Sequence, residues 1–181
     1  METLYKIDKI LGKIDKFLMV VLASSATILA FVNVVARYTF GTSLVWAGEL
    51  TTYLFIWMTL FGASYGFEIG MHMSFDAIVK ALPEKLCKAV TIFSLLIVIV
   101  YLGLLTVWGV NLVRFDYMTQ QVSIDLQIPF WIIYLVVPIT MATATWRVFL
   151  KLLEAVKTPA AQLKIRAGEG MEEAEKEGLL E

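Results

Sequence analysis

The sequence predicts an all-α integral membrane protein with four transmembrane helices, both termini in the cytoplasm and short amphipathic helices at the membrane surface. Hydrophobic residues make up 59% of its 181 residues, whereas soluble domains contain about 45–50%. Charged residues make up only 17%, and they are concentrated outside four long apolar runs. An apolar run of about 20 residues is long enough to cross the hydrocarbon core of a bilayer as a helix.

The first 16 residues form a basic segment that is too polar to cross a bilayer. Its lysines are spaced by three and four residues and therefore share one face of a helix, while Ile7, Leu11 and Ile14 follow the same rhythm beside them. This pattern predicts an amphipathic helix over 1–16 that lies on the cytoplasmic membrane surface. The residues expected to contact the lipid headgroups are Lys6, Lys9, Lys13 and Lys16.

A four-helix membrane domain is predicted over residues 17–155. Each helix corresponds to an apolar run with few charges, and the first and second are joined by a short turn that predicts an antiparallel hairpin. Pro138 lies inside the last helix and predicts an interruption, because proline lacks the N–H of a helical hydrogen bond. The four predicted helices are 17–37, 44–67, 89–113 and 129–150.

The segments between and after the helices are more polar. Hydrophobic spacing predicts a short amphipathic helix over 74–82 in the loop between the second and third membrane helices. Residues 114–128 form the longest loop on the opposite side of the membrane. Hydrophobic and polar residues alternate over 122–128, which predicts an extended stretch. Residues 156–181 form a polar, acidic tail.

The distribution of positive charge predicts the orientation. Thirteen of the 15 lysines and arginines lie in the N-terminal segment, in the loop after the second helix or in the C-terminal region. Only Arg37 and Arg114 lie on the other side. Because lysine and arginine accumulate in cytoplasmic loops, both termini and the 74–82 loop are expected in the cytoplasm.

Glu49, near the outer end of the second helix, is the most informative polar residue. A charge at the bilayer centre costs about 2.5–3.5 kcal/mol on insertion scales, and less near the interface. Arg37 lies at a similar depth on the first helix, so an Arg37–Glu49 ion pair is predicted across the hairpin. Glu49 is interpreted mainly as a structural clamp or partner contact, with a proton or ion relay as the alternative.

Other residues of the second helix are candidates for packing or for a partner interface. Trp46, Tyr53 and Trp57 share one face with Glu49, which favours packing against a neighbouring subunit over a ligand cage. Gly62 and Gly66 follow a small-xxx-small spacing that allows close approach of another helix. His72, the single histidine, is a further structural candidate. It is interpreted as a helix cap or a contact to a lipid headgroup, with a metal ligand or a pH sensor as the alternative. Cys87 is the single cysteine. No catalytic, substrate-binding, metal-binding or cofactor-binding set is predicted, and no nucleic-acid motif is present.

Several short motifs occur in a familiar order. They are Arg37-Tyr38-x-Phe40, Trp46-Ala47-Gly48-Glu49-Leu50, Tyr53-Leu54-Phe55-Ile56-Trp57, Gly62-Ala63, Gly70-x-His72, Leu82-Pro83, and Ile128-Pro129-x-Trp131-x-x-Tyr134 followed by Pro138. With these motifs the chain resembles the small membrane subunit, the DctQ-like Q subunit, of tripartite ATP-independent periplasmic (TRAP) transporters. The resemblance covers about residues 5–155.

The resemblance implies a scaffold and anchor subunit, not an enzyme, in the bacterial inner membrane. Such a subunit associates with a separate large membrane subunit, which holds the substrate and sodium sites. A periplasmic binding protein delivers an organic acid such as sialic acid or a C4-dicarboxylate. No cofactor is implied.

Two alternatives come from other functional classes. One is a self-contained four-helix proton-coupled transporter that acts as a homodimer with Glu49 as its coupling carboxylate. The other is an intramembrane enzyme or electron-transfer subunit, which would require clusters of histidine or cysteine that this sequence lacks.

Overall fold

The computed structural model describes residues 2–69 and 83–159. Within these ranges the chain forms five helices: α1 (Glu2–Phe40), α2 (Val45–Ile69), α3 (Glu84–Thr119), α4 (Phe130–Tyr134) and α5 (Val136–Lys157). The predicted helix over 74–82, His72, and residues 160–181 of the predicted tail lie outside the described residues. The all-helical prediction is therefore confirmed for the part of the chain that the structure describes.

Among the residues that the structure describes, three stretches of helix are long and apolar enough to cross a membrane. They are Tyr5–Phe40, Leu86–Thr119 and Phe130–Lys157, the last of which combines α4 and α5. Almost none of the most apolar part of α1 or of α3 is buried within the chain. Apolar surface of this extent is covered by lipid or by other membrane segments. The predicted second span corresponds to α2, which is not among the three because threonine, glycine and aromatic residues lower its hydropathy.

The predicted boundary between a surface helix and a first membrane helix is not visible in the backbone. Residues Glu2–Phe40 form one uninterrupted helix of 39 residues, about 58 Å long at 1.5 Å per residue. The segment contains no proline, and Gly12, which is buried, costs a helix only about 1 kcal/mol. Nothing in the local sequence therefore ends the helix near residue 16.

The last two helices differ from the prediction in their lengths. α3 ends at Thr119 rather than near residue 113, so the loop that follows is shorter than predicted. The predicted fourth helix is interrupted at Leu135, which separates α4 from α5. Pro138 has no N–H for the carbonyl of Tyr134, and its ring crowds that carbonyl. The interruption predicted from Pro138 is confirmed, and it lies three residues before the proline.

The chain divides into two compact units, of which the first consists of Met1–Tyr65 and Leu104–Thr143. Gly41 follows α1 with a φ of 66°, the left-handed conformation that commonly ends helices. Two glycines permit close helix contacts in this unit. A Cβ on Gly62 would lie 3.2 Å from the sulfur of Met19. A Cβ on Gly109 would lie 3.2 Å from the nitrogen of Pro138.

The second unit consists of Gly66–Gly103 and Ala144–Glu181. Cys87 is fully buried in it and packs against Val90. The ammonium group of Lys88 donates hydrogen bonds of 2.9 Å to the carbonyl oxygens of Val156 and Thr158. Because the last carbonyls of a helix lack partners within the helix, Lys88 caps the C-terminal end of α5.

A buried polar cluster connects three helices of the first unit. The hydroxyl of Ser64 on α2 donates a 2.9 Å hydrogen bond to the carboxylate of Asp15 on α1. The same hydroxyl lies 2.9 Å from the hydroxyl of Thr143 on α5. Asp15 is 4% and Ser64 is 2% exposed, so these buried hydrogen bonds favour one register of the three helices.

Replacing Ser64 with alanine should destabilise the protein by about 1–2 kcal/mol, because a buried hydrogen bond to a carboxylate is lost. The measurement is thermal unfolding of the purified protein in mild detergent. Thr59→Ala is the matched control, since Thr59 lies on the same helix, is exposed, and bonds only the carbonyl of Phe55. Equal melting temperatures for both variants would show that the cluster contributes nothing.

Candidate functional site

Glu49, in the second turn of α2, connects this helix to the loop between α3 and α4. One carboxylate oxygen accepts a 2.5 Å hydrogen bond from the hydroxyl of Tyr53, one turn further along the helix. The other oxygen accepts hydrogen bonds from the backbone amides of Asp125 and Leu126, at 2.9 and 3.0 Å. Both oxygens therefore have partners, and Glu49 holds the loop through its backbone rather than through any particular side chain.

The loop that Glu49 holds is closed on itself. Val122 and Pro129 form an antiparallel bridge, and the amide of Ser123 donates to the carbonyl of Ile128 at 2.9 Å. The hydroxyl of Ser123, which is 1% exposed, accepts from the amide of Ile128. These bonds produce a hairpin-like turn in place of the extended stretch predicted over 122–128. We refer to residues 120–129 as the clamped loop.

The tip of the clamped loop presents two neighbouring amides to Glu49 because of its backbone conformation. Gln120 and Gln127 adopt positive φ values of 52° and 55°, which few residues other than glycine and asparagine favour. Ile124, next to the bound amides, is 88% exposed. The loop is thus fixed at its base and its tip while it displays an apolar side chain outward.

The predicted ion pair between Arg37 and Glu49 is wrong. Arg37 is exposed, and none of the hydrogen bonds that the structure gives Glu49 comes from it. The backbone amides of the clamped loop supply the positive dipoles instead. The contact that joins α1 to the start of α2 is made by Asn33, whose side-chain oxygen accepts a 3.0 Å hydrogen bond from the amide of Leu44.

The aromatic residues on this face of α2 have different surroundings: two are bonded within the chain and one is exposed. Trp57 donates a 2.9 Å hydrogen bond from its indole nitrogen to the carbonyl of Ile133 in α4. Tyr53 is held by Glu49. Trp46 is 42% exposed, so its ring is available to another molecule.

The remaining predicted residues are placed as follows. Gly62 lies against the side chain of Met19 in the chain's own bundle, and Gly66 is buried. His72 lies outside the described residues. All four lysines of the N-terminal segment are exposed on α1: Lys6, Lys9, Lys13 and Lys16.

Comparison with known proteins identifies the family. The family model described as "Tripartite ATP-independent periplasmic transporters, DctQ component" matches residues 26–158. This range begins within α1 and ends one residue after α5, so it includes Arg37, Glu49 and the clamped loop.

The chain belongs to the DctQ family.

Curated relatives of this DctQ-family chain are small permease proteins of TRAP transporters. The C4-dicarboxylate TRAP transporter small permease protein DctQ of Rhodobacter capsulatus is 28% identical over 77% of this chain and 74% of its own length. The ectoine TRAP transporter small permease protein TeaB of Halomonas elongata is 29% identical over 74% of this chain and 69% of its own. A DctQ of Vibrio cholerae is 34% identical over a shorter region, 46% of this chain and 36% of its own length.

These matches and the membrane-spanning helices make the DctQ-family chain a multi-pass membrane protein of a transporter family rather than of an enzyme family.

Sequence reasoning did not identify Asp15, Ser64 and Ser123 as structural residues of this protein. Asp15 lies between Lys13 and Lys16, and a charged residue in such a basic segment is expected on the membrane surface rather than in the core. The serines have no charge or motif that would mark them, because their roles depend on contacts with distant segments.

Replacing Trp57 with phenylalanine should destabilise the DctQ-family chain by about 1 kcal/mol, because the hydrogen bond to Ile133 is lost. Thermal unfolding in detergent is the measurement. Trp46→Phe is the control, since its ring is exposed and should be tolerated. A larger loss of stability at Trp46 than at Trp57 would contradict the roles assigned to the two rings.

Proposed function

We propose that this chain is the scaffold and anchor subunit of a sodium-coupled, binding-protein-dependent TRAP transporter that imports an organic acid. It associates with a separate large transport subunit in a bacterial inner membrane. The observation that carries the proposal is the DctQ match over residues 26–158, which extends across all five helices. Both carboxylate oxygens of Glu49 accept hydrogen bonds from the chain itself. This supports a structural role for Glu49 rather than a role as a proton or ion relay.

In this proposal the chain crosses the membrane four times. α2 has 25 residues and is about 37 Å long, which exceeds the roughly 30 Å of a hydrocarbon core. Thirteen of the 15 lysines and arginines then lie on the cytoplasmic side together with both termini. The clamped loop lies on the periplasmic side, where a binding protein would approach.

The substrate is proposed as a carboxylate, such as sialic acid or a C4-dicarboxylate, without further assignment. Two relatives with nearly equal identity to this chain, 28% and 29%, are named for different substrates, C4-dicarboxylates and ectoine. The degree of sequence identity between small permeases therefore does not distinguish which substrate their transporters carry. This supports locating specificity on the large subunit and the binding protein.

Exposed side chains on α1 and α2 are the proposed contacts of this subunit. Trp46 and Arg37, both exposed near the loop end of the α1–α2 hairpin, are proposed to contact the large subunit. The exposed lysines between Lys6 and Lys16 are proposed to contact anionic headgroups, since cytoplasmic leaflets carry negative charge. Because α1 is continuous, the lysines closest to residue 17 lie nearest the bilayer.

The proposal is tested by reconstituting this chain, the large subunit and the binding protein in liposomes. Solute uptake should require a sodium gradient and all three proteins, and leaving out this chain should abolish it. This chain alone should move no solute. Sodium-independent transport by this chain alone would overturn the proposal and favour a self-contained transporter with Glu49 as its coupling carboxylate.

A further inference from the structure

The first unit contains an open apolar groove on the same side of α2 as Tyr53 and Trp57. Its volume is about 240 Å³. Its apolar lining includes Leu22 of α1, Leu50 and Leu54 of α2, Ile132 of α4 and Ile128 of the clamped loop.

The groove offers no hydrogen bond to a polar ligand. Its two polar side chains are Tyr53 and Trp57, whose hydroxyl and indole nitrogen are already bonded to Glu49 and to the carbonyl of Ile133. An engineered apolar cavity of about 150 Å³ stays dry and binds apolar molecules such as benzene. A larger groove without free polar groups therefore favours an apolar occupant.

The surroundings of the groove identify the source of that occupant. Leu22 and Ile132 belong to two of the three stretches that are apolar enough to cross a membrane. Ile132, which lines the groove, is itself 39% exposed. The groove therefore opens onto the apolar surface of the chain, and a hydrocarbon chain can enter it from the bilayer.

One end of the groove carries negative charge. Glu49 bonds Tyr53 at this end, and its second oxygen lies 2.9 Å from the amide of Asp125, whose own side chain is exposed. The carboxylate of Glu49 is therefore near the rim. A headgroup with an ammonium ion is attracted to this rim, whereas a headgroup with only negative charge is repelled.

From these observations we propose that the groove is a phospholipid site. It binds one acyl chain of an ammonium-bearing phospholipid, with the headgroup beside Glu49. The site depends on the membrane location of the chain and not on its association with a large subunit.

Native mass spectrometry of the full-length protein, purified in mild detergent, tests the site. The wild-type protein should retain a single ammonium-bearing phospholipid. Leu54→Trp places a larger side chain in the groove and should reduce the retained fraction roughly tenfold. Phe55→Trp is the matched control, because Phe55 is adjacent, is 41% exposed and does not line the groove. Equal lipid retention by the two variants, or no retained lipid in the wild type, would overturn the proposal.

Fluorescence quenching provides a test that leaves the groove intact. A chain that retains only Trp57 is placed in nanodiscs of ethanolamine-headed and glycerol-headed phospholipids, with bromine on the acyl chains of one or the other. Bromination of the ethanolamine lipid should quench Trp57 more strongly. A chain that retains only Trp108, which is 62% exposed on α3, should be quenched equally by both. Equal quenching of Trp57 by both lipids would contradict a selective site.

Discussion

Glu49→Ala is expected to release the clamped loop while the helices remain folded. The substitution removes both carboxylate oxygens, so the amides of Asp125 and Leu126 lose the partner that the structure gives them. Amides that lose a structural hydrogen bond exchange with solvent through local opening. Hydrogen exchange of the peptide over 121–130 should therefore become roughly tenfold faster or more. Mass spectrometry of the purified protein measures this rate.

Two control variants separate the loop tie from other roles of Glu49. Arg37→Ala should leave the exchange of the clamped loop unchanged, because Arg37 is exposed and does not bond Glu49. Thr52→Ala should also leave it unchanged, since the exposed hydroxyl of Thr52 bonds only the carbonyl of Gly48. If Arg37→Ala accelerates exchange as much as Glu49→Ala does, an ion pair holds the loop and the observed geometry is not the functional one.

Gly109→Leu is expected to destabilise the packing of α3 against α5. A Cβ at this position would lie 3.2 Å from the Cδ and nitrogen atoms of Pro138 and from a methyl group of Val137. The backbone nitrogen cannot move aside unless α5 itself shifts, and the remaining leucine atoms add further crowding. Overpacking of this kind costs about 1–3 kcal/mol. Thermal unfolding in detergent and the yield of monodisperse protein report the loss.

The matched control for this prediction is on the same helix. A Cβ on Gly103 would have no atom within 4 Å, so Gly103→Leu should be tolerated and should gain helix propensity. Similar melting temperatures for the two leucine variants would contradict the close approach of α3 to Pro138.

The membrane helices could be predicted because hydrophobicity is a property of the local sequence. The apolar runs of α1, α3 and the α4–α5 pair are each long enough to exclude a soluble fold, and Pro138 indicated the interruption of the last one. The continuity of α1 could not be predicted from composition. A change from charged to apolar residues near Phe17 alters the solvent that a helix prefers, but it does not break helical hydrogen bonds.

The candidate site could be predicted only in part. The isolated charge of Glu49 drew attention to the correct residue, yet its partners are backbone amides, which every residue except proline provides. Sequence reasoning therefore chose Arg37, the nearest residue of opposite charge. The division of the aromatic face, with Trp57 bonded to Ile133 and Trp46 exposed, likewise depends on where α4 lies.

Co-purification most directly tests the central claim that this DctQ-family chain is an accessory subunit of a larger transporter. The chain is expressed in its native host with a tag at its C-terminus and purified in mild detergent, and the co-purifying proteins are identified by mass spectrometry. The account predicts a stoichiometric partner that is a large membrane protein with many transmembrane helices. A purified chain that is monomeric or forms only a homodimer, and that still transports a solute in liposomes, would contradict it.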